Sequence, residues 1–282
     1  MKLYQILLGL VILRLWSPLT QAADPDVTVP QISDETAREH FFLSANWSKH
    51  EWRVFIRNQI PCAQLTTEPP EKLPDRPNFV PRAGNFIEGT FTGGKAFARV
   101  DDGWLVGFNQ GEFGAALYWF SSDGKQKYKI SNHQVVDFLS LSNGIHAIEG
   151  LAHLGLSRGS VIRITRANAS GRWQAASVAK LPAAPYSVAL RRDDTMLISL
   201  SDSLVSLTPS YKIQYLLTNA NWDYPNSSIL SPGERKLFIG MRQFVGEFDL
   251  TNYKFRFLIP SVEFLDKLPT EQEERFRKMH GP

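Results

Sequence analysis

Apolar and polar positions are organised differently in the two parts of the chain. From Gly93 onward, short runs rich in β-branched and aromatic residues alternate with turn residues, which is strand texture. Four of these runs can be stacked on one another: DGWLVGF (102–108), NGIHAIE (143–149), DTMLISL (194–200) and ERKLFIG (234–240). With Leu105, His146, Leu197 and Leu237 as equivalent positions, the repeat is roughly 40 residues long. The longer middle interval contains RANASGRW (166–173), which reads as a hairpin insertion.

Each unit resolves into four strand-like runs. The first holds AFARV, WLVGF, AALYWFS and KYKIS. The second holds VVDFLSL, IHAIE, SVIRITR and WQAASVA, the third YSVALRR, MLISLS, LVSLTP and KIQYLLT, and the fourth SSILSP, KLFIG, FVGEFDL and KFRFLI. Four strands per unit of this length is the pattern of a β-propeller blade. The competing reading is a β-sandwich with accidental periodicity. The expected fold is therefore all-β and propeller-like, with four recognisable units over 93–262. EWRVFIRN (51–58) with NFIEGTF (85–91) is placed as a possible partial fifth blade, or as completing the last one.

The N-terminal part lacks this texture. Residues 1–22 read as a cleavable signal peptide: Lys2 is the basic head, Ile6 to Leu13 the apolar run, and Thr20 and Ala22 the small residues before the cut. Arg14, Ser17 and Pro18 interrupt the run well short of the ~20 residues a bilayer span needs. The expected address is periplasmic or secreted, with no stable membrane anchor after cleavage. Residues 33–43 read as a helix capped by Ser33, and Pro61 to Pro81 as an extended connection, because proline fixes φ and lacks a donor. Thr270 and Glu273 form a capping box for a C-terminal helical tail within 263–282.

Charge and cysteine content narrow the partners. The formal net charge is +3 over 282 residues, two of the basic residues (Lys2 and Arg14) lying in the leader. No dense basic stripe marks a nucleic-acid surface. Cys62 is the only cysteine, so no intrachain disulfide forms.

At GEFGAALYWFSSDGKQKYKIS (111–131) and GLAHLGLSRGSVIRI (150–164) the chain resembles a group of uncharacterised bacterial exported proteins. Its repeat is similar in general to that of WD-repeat-type propellers, without their WD dipeptide. The resemblance implies fold and export and implies no activity.

One motif invites an enzymatic reading. Gly155-Leu156-Ser157-Arg158-Gly159 spells G-x-S-x-G, the nucleophile-elbow pattern. An elbow needs a helix after the serine, whereas SVIRI (160–164) alternates as a strand does. The one later histidine is His280. Ser157 is thus expected to be a polar turn residue, indifferent to replacement by alanine. Metal chemistry is equally thin. His40, His50, His133, His146, His153 and His280 include no i,i+4 pair. Glu88, Glu112 and Glu149 could gather on a propeller axis only if the fold brings them together.

Strand parity gives the sharper expectation. With strands A to D running from centre to rim, the B–C and D–A connections emerge on one face. Glu112, His133, His153, Arg158, Tyr186, Trp222, Tyr224 and Arg242 lie in those connections and should share that face. Trp222 and Tyr224 could instead pack between blades. Trp104, Tyr118, Trp119 and Phe120 lie in strands and are assigned to the core. Aromatic and arginine side chains on loops over a rigid scaffold suit binding. The expected function is a non-catalytic exported protein, a monomer without cofactor, that binds a protein, peptide or glycan, for example as a periplasmic inhibitor or immunity protein. The alternative is a metal-dependent hydrolase or lyase with its site on the axis.

Overall fold

The computed structural model describes residues 45, 48–70, 75–83, 94–168, 171–220, 222, 224–258 and 278. The signal segment, the helix at 33–43, NFIEGTF (85–91) with Glu88, and the C-terminal helix other than Lys278 lie outside them.

Eighteen strands and one short 3-10 turn make up the named elements. β1 (Trp52–Arg57) and β2 (Ile60–Leu65) form a hairpin. Blade 1 is β3 (Gly94–Val100), β4 (Gly103–Asn109), β5 (Ala115–Ser121) and β6 (Lys127–Ser131). Blade 2 is β7 (Val135–Leu141), β8 (Gly144–His153), β9 (Leu156–Thr165) and β10 (Gln174–Leu181). Blade 3 is β11 (Pro185–Leu190), β12 (Met196–Leu200), β13 (Leu204–Leu207) and β14 (Ile213–Leu217). Blade 4 is β15 (Ser227–Leu230), β16 (Lys236–Gly240), β17 (Val245–Asp249) and β18 (Lys254–Leu258). Each blade is an antiparallel sheet whose strands follow chain order.

The first strands of the blades, β3, β7, β11 and β15, touch in succession, and β1 lies against β15. The chain is therefore a β-propeller of four blades with a two-stranded partial fifth, in which 52–57 pairs with 60–65, at the start of the stretch expected to be an extended connection, because the short turn at Asn58 and Gln59 brings the two together. The hairpin docks by backbone as well as side chain: Trp52 donates its N–H to the Met241 carbonyl at 2.9 Å, and Gln243 donates to the His50 carbonyl at 2.7 Å.

The apolar core lies between blades rather than within one. Leu105 and Leu117 meet Val135, Ala147, Ile162 and Ile164 between blades 1 and 2. Ile148, Val161 and Leu181 meet Ile198, Leu200 and Val205 between blades 2 and 3. Leu197 and Leu204 meet Leu237, Ile239 and Phe248 between blades 3 and 4. A central strand is thus covered on both faces, so β4, β12 and β13 read as nearly unbroken apolar runs. The four aligned positions Leu105, His146, Leu197 and Leu237 are all essentially sealed from solvent, at 0 to 1 % exposure. Trp104, Tyr118 and Phe120 are buried against Phe79 and Ala83 of the proline-rich segment.

The two faces of the ring are stitched differently. On the face carrying the A–B and C–D connections, the Asp102 carboxylate accepts both the Trp119 and the Trp173 indole N–H, at 3.1 and 3.2 Å. Arg166 adds an ion pair to Asp102 at 2.7 Å, pairs with Asp101, and lies over the Trp173 ring at 4.8 Å. Further round, Ser142 donates its N–H to Asp194, and Arg191 and Arg192 pair with Glu234.

Candidate functional site

The opposite face carries the B–C and D–A connections, and it gathers most of the residues picked from the sequence. On blade 1 the B–C connection is a 3-10 turn, Gly111–Phe113. Its Glu112 carboxylate meets His153 Nε2 of blade 2, and both side chains are a little over one third exposed. The pair joins the two blades at the rim.

Below it lies a buried polar network. Gln134, on the connection from blade 1 to blade 2, donates from its side chain to Asn109 Oδ1 and the Gly111 carbonyl, both at 2.9 Å. Its Oε1 accepts from Arg158 at 3.3 Å. The Glu149 carboxylate accepts the Ser160 hydroxyl at 2.5 Å and the Gln134 N–H at 3.4 Å, and it lies 3.9 Å from the Arg158 guanidinium. Gln134, Glu149 and Ser160 are all buried. A buried carboxylate is tolerable because it is hydrogen-bonded and ion-paired. Arg158 is half exposed. It is held from below and keeps donors free for solvent.

At blades 3 and 4, Arg242 stacks over the Tyr224 ring at 4.8 Å, and Tyr186 lies 5.8 Å from Tyr224 between ring centres. Glu51 accepts from the Asn226 side chain at 2.9 Å and forms a backbone bridge with Arg242. Tyr224 is half exposed, with positive φ. His133 is half-buried and bonds Ser131 through Nδ1 at 2.8 Å.

Two expectations need correction. Trp222 is not a surface residue. It is buried, donates its indole N–H to the Leu200 carbonyl at 2.8 Å, and meets Phe255 edge to face. An indole placed between two blades gains more from packing and one hydrogen bond than from solvent. Ser157 is not an idle turn residue. Its oxygen accepts the Ala184 N–H at 2.9 Å and lies 2.9 Å from the Ser201 hydroxyl, linking blade 2 to blade 3. It stands near the start of β9, followed by strand and not by a helix, so no elbow is formed.

The stretch Gly150-Leu151-Ala152-His153-Leu154-Gly155-Leu156-Ser157-Arg158-Gly159 reads in sequence as a loop. It is a hairpin instead. β8 and β9 stay paired out to His153 opposite Leu156, and the turn is Leu154-Gly155, both at positive φ. The tip presents Leu154 at 92 % and Leu156 at 51 % exposure, and the neighbouring 3-10 turn presents Phe113 at 79 %. These three residues were missed from sequence, where an exposed leucine looks like a core leucine. Their one signal is position, beside glycines at a turn. Asp137 was also missed. It is exposed on β7, where its Oδ1 accepts the Phe138 N–H at 2.8 Å.

Among the described residues no group of three or more His, Cys, Asp or Glu side chains is placed to share a metal ion. Glu112 and Glu149 are engaged with His153 and with Ser160, and Glu88 lies outside the described residues.

No known family and no curated protein matches the chain. Solved structures with some likeness include a streptogramin B lyase, at 16% identity and TM-score 0.39, over 58% of this chain and 53% of that one. A catalytically inactive virginiamycin B lyase from Staphylococcus aureus with quinupristin matches at 16% and 0.41, over 65% and 58%. A nidogen/laminin complex matches at 10% and 0.35, over 54% and 57%. The chain thus spans little more than half of each of these proteins. The propeller assignment rests on the sheet order and the interblade core.

Proposed function

We propose that the chain is a non-catalytic exported binding protein that uses the face bearing Glu112, His153, Arg158, Tyr224 and Arg242 to hold a protein, peptide or glycan. The observation that carries this reading is the contrast on that face between engaged polar groups and projecting apolar ones. Ser157 and Gln134 spend their hydrogen bonds on neighbouring blades, and Glu149 spends its own on Ser160 of the same blade and on the Gln134 N–H. Phe113, Leu154 and Leu156 stand in solvent beside an arginine held from below. Clustered exposed apolar groups with a polar rim mark interaction sites. A periplasmic inhibitor or immunity role is the specific form, and it draws on the leader-like N-terminus.

The test is an envelope extract passed over the full mature chain and over the Arg158→Ala, Arg242→Ala double variant. One dominant partner retained by the first, and held about 30-fold more weakly by the second, supports the reading; a loss of about 2 kcal/mol is ordinary for an interface arginine. Equal affinity removes both arginines from the site. Stoichiometric Ca²⁺ or Zn²⁺ in the purified protein, lost on Glu149→Gln, would favour the metal-dependent hydrolase or lyase instead.

A further inference from the structure

The β8–β9 hairpin outgrows its sheet. β7 stops pairing with β8 at Val135 opposite Glu149, and β10 stops pairing with β9 at Leu181 opposite Gly159. β8 and β9 continue together beyond those points, through Leu151 opposite Arg158, Ala152 opposite Ser157 and His153 opposite Leu156. Residues 151–158 are therefore a two-stranded ribbon without lateral strands. At ~3.4 Å per residue it reaches on the order of 10 Å past the blade. The corresponding strands of blades 3 and 4 are only four or five residues long.

An isolated ribbon of this size is marginal in water. This one is braced on both sides. Toward blade 1, His153 meets Glu112, and Arg158 donates to Gln134. Toward blade 3, the Ser157 oxygen accepts the Ala184 N–H, and Gly150 and Gly159 lie so close to Pro185 that a Cβ on either would approach its Cδ to 2.6 or 2.5 Å. The bracing stops below the tip, where Leu154 and Leu156 project beside Phe113 of blade 1.

We infer that the 151–158 ribbon is an insertion finger, and that its tip, with Phe113, enters an apolar cleft on a partner protein. The inference rests on the binding reading above: the propeller supplies the projecting part and the partner the cleft. Convex shape fits a cleft in the partner. Rigid bracing lowers the ordering cost of insertion. Charge selects the class of partner. A bilayer is the other acceptor of projecting leucine and phenylalanine, but an anionic surface requires a basic belt. Here the residue next to Phe113 is Glu112, and the Arg158 charge lies beside Glu149.

The experiment places a photoreactive phenylalanine analogue, in the full chain expressed in cells, at Leu154, at Phe113, at Tyr224 or at the control position Ser210 on the opposite face. The protein captured from Leu154 is then purified and titrated against the wild-type chain and Leu154→Asp. Aspartate tolerates the positive φ of this exposed turn position, so the variant folds. Expected are the same captured protein from Leu154 and Phe113, and an affinity loss of about 30-fold in Leu154→Asp. The purified chain should not float with equimolar phosphatidylglycerol–phosphatidylcholine vesicles. Flotation that depends on Leu154 overturns the protein-cleft assignment. Unchanged affinity in Leu154→Asp overturns the finger. Capture from Tyr224 alone removes the finger and leaves the binding face standing, and capture from none of the three above the Ser210 control removes both.

Discussion

Asp102 is the acceptor on which the first two blades converge, and its removal gives a calculable loss. Its Oδ1 takes two indole N–H groups, from Trp119 in its own blade and Trp173 in the next, and its Oδ2 takes Arg166. Trp173 is buried, and the Arg166 side chain is only 10 % exposed, so neither finds water easily. Asp102→Ala strands two donors and takes one of two carboxylates from a nearly buried guanidinium. A stranded buried donor costs ~1–3 kcal/mol. Asp102 itself is one third exposed, so some water refills the gap and the lower end applies. The sum is about 3 kcal/mol. Asp102→Asn keeps one oxygen for the indoles and gives up the charge, for about 1 kcal/mol. Asp101→Ala, removing a carboxylate 70 % exposed, should cost less than ~1 kcal/mol. Urea titration followed by tryptophan fluorescence and by circular dichroism measures all three. At a slope of ~2–3 kcal/mol/M the alanine variant loses about 1 M in midpoint. A loss below ~1 kcal/mol in Asp102→Ala, or a ranking in which Asp101→Ala is the worse, would refute the convergence on Asp102.

Two further outcomes follow from the geometry. Gly159→Ala puts a Cβ 2.5 Å from Pro185 Cδ and 2.7 Å from the Ala183 carbonyl oxygen, so it should cost ~1–3 kcal/mol in a urea titration; a neutral result would mean that blades 2 and 3 separate freely there. Burial holds the His146 imidazole below its ordinary range, with Arg163 adding to this and the Gly144 carbonyl and Asp194 opposing it. The unfolded chain then binds the extra proton first, so stability is full above pH ~6.5 and falls on acidification below it; His146→Gln should flatten that fall, and an unchanged slope would contradict the burial argument.

The repeat was legible because each blade is buried on both faces. Leu105, Leu197 and Leu237 mark the same sealed position in blades 1, 3 and 4, and His146 marks it in blade 2 because Tyr211 and the Gly144 carbonyl satisfy its ring, at 2.9 and 3.2 Å. Parity then put Glu112, His153 and Arg158 on one face, since in an antiparallel meander every second connection returns to the same side. Contacts across blades were not legible. Nothing local to Gln134 announces that it bridges Asn109 and Arg158. Trp222 sits in connection-like sequence and is buried because the adjoining blades leave an indole-sized gap. The ribbon was hidden by its glycines, which suggested a loop, whereas Gly150 and Gly159 serve close approach to Pro185 and Gly155 serves the turn.

Binding is proposed to reside on the face where the B–C and D–A connections emerge. Hydrogen exchange of the full chain, alone and with its purified partner, tests this most directly. Slowed exchange on binding is expected in 110–114, 150–159, 219–226 and 241–244, with 122–126, 142–143, 191–195 and 208–212 unchanged. Slowing confined to the second set would place the partner on the opposite face and contradict the claim.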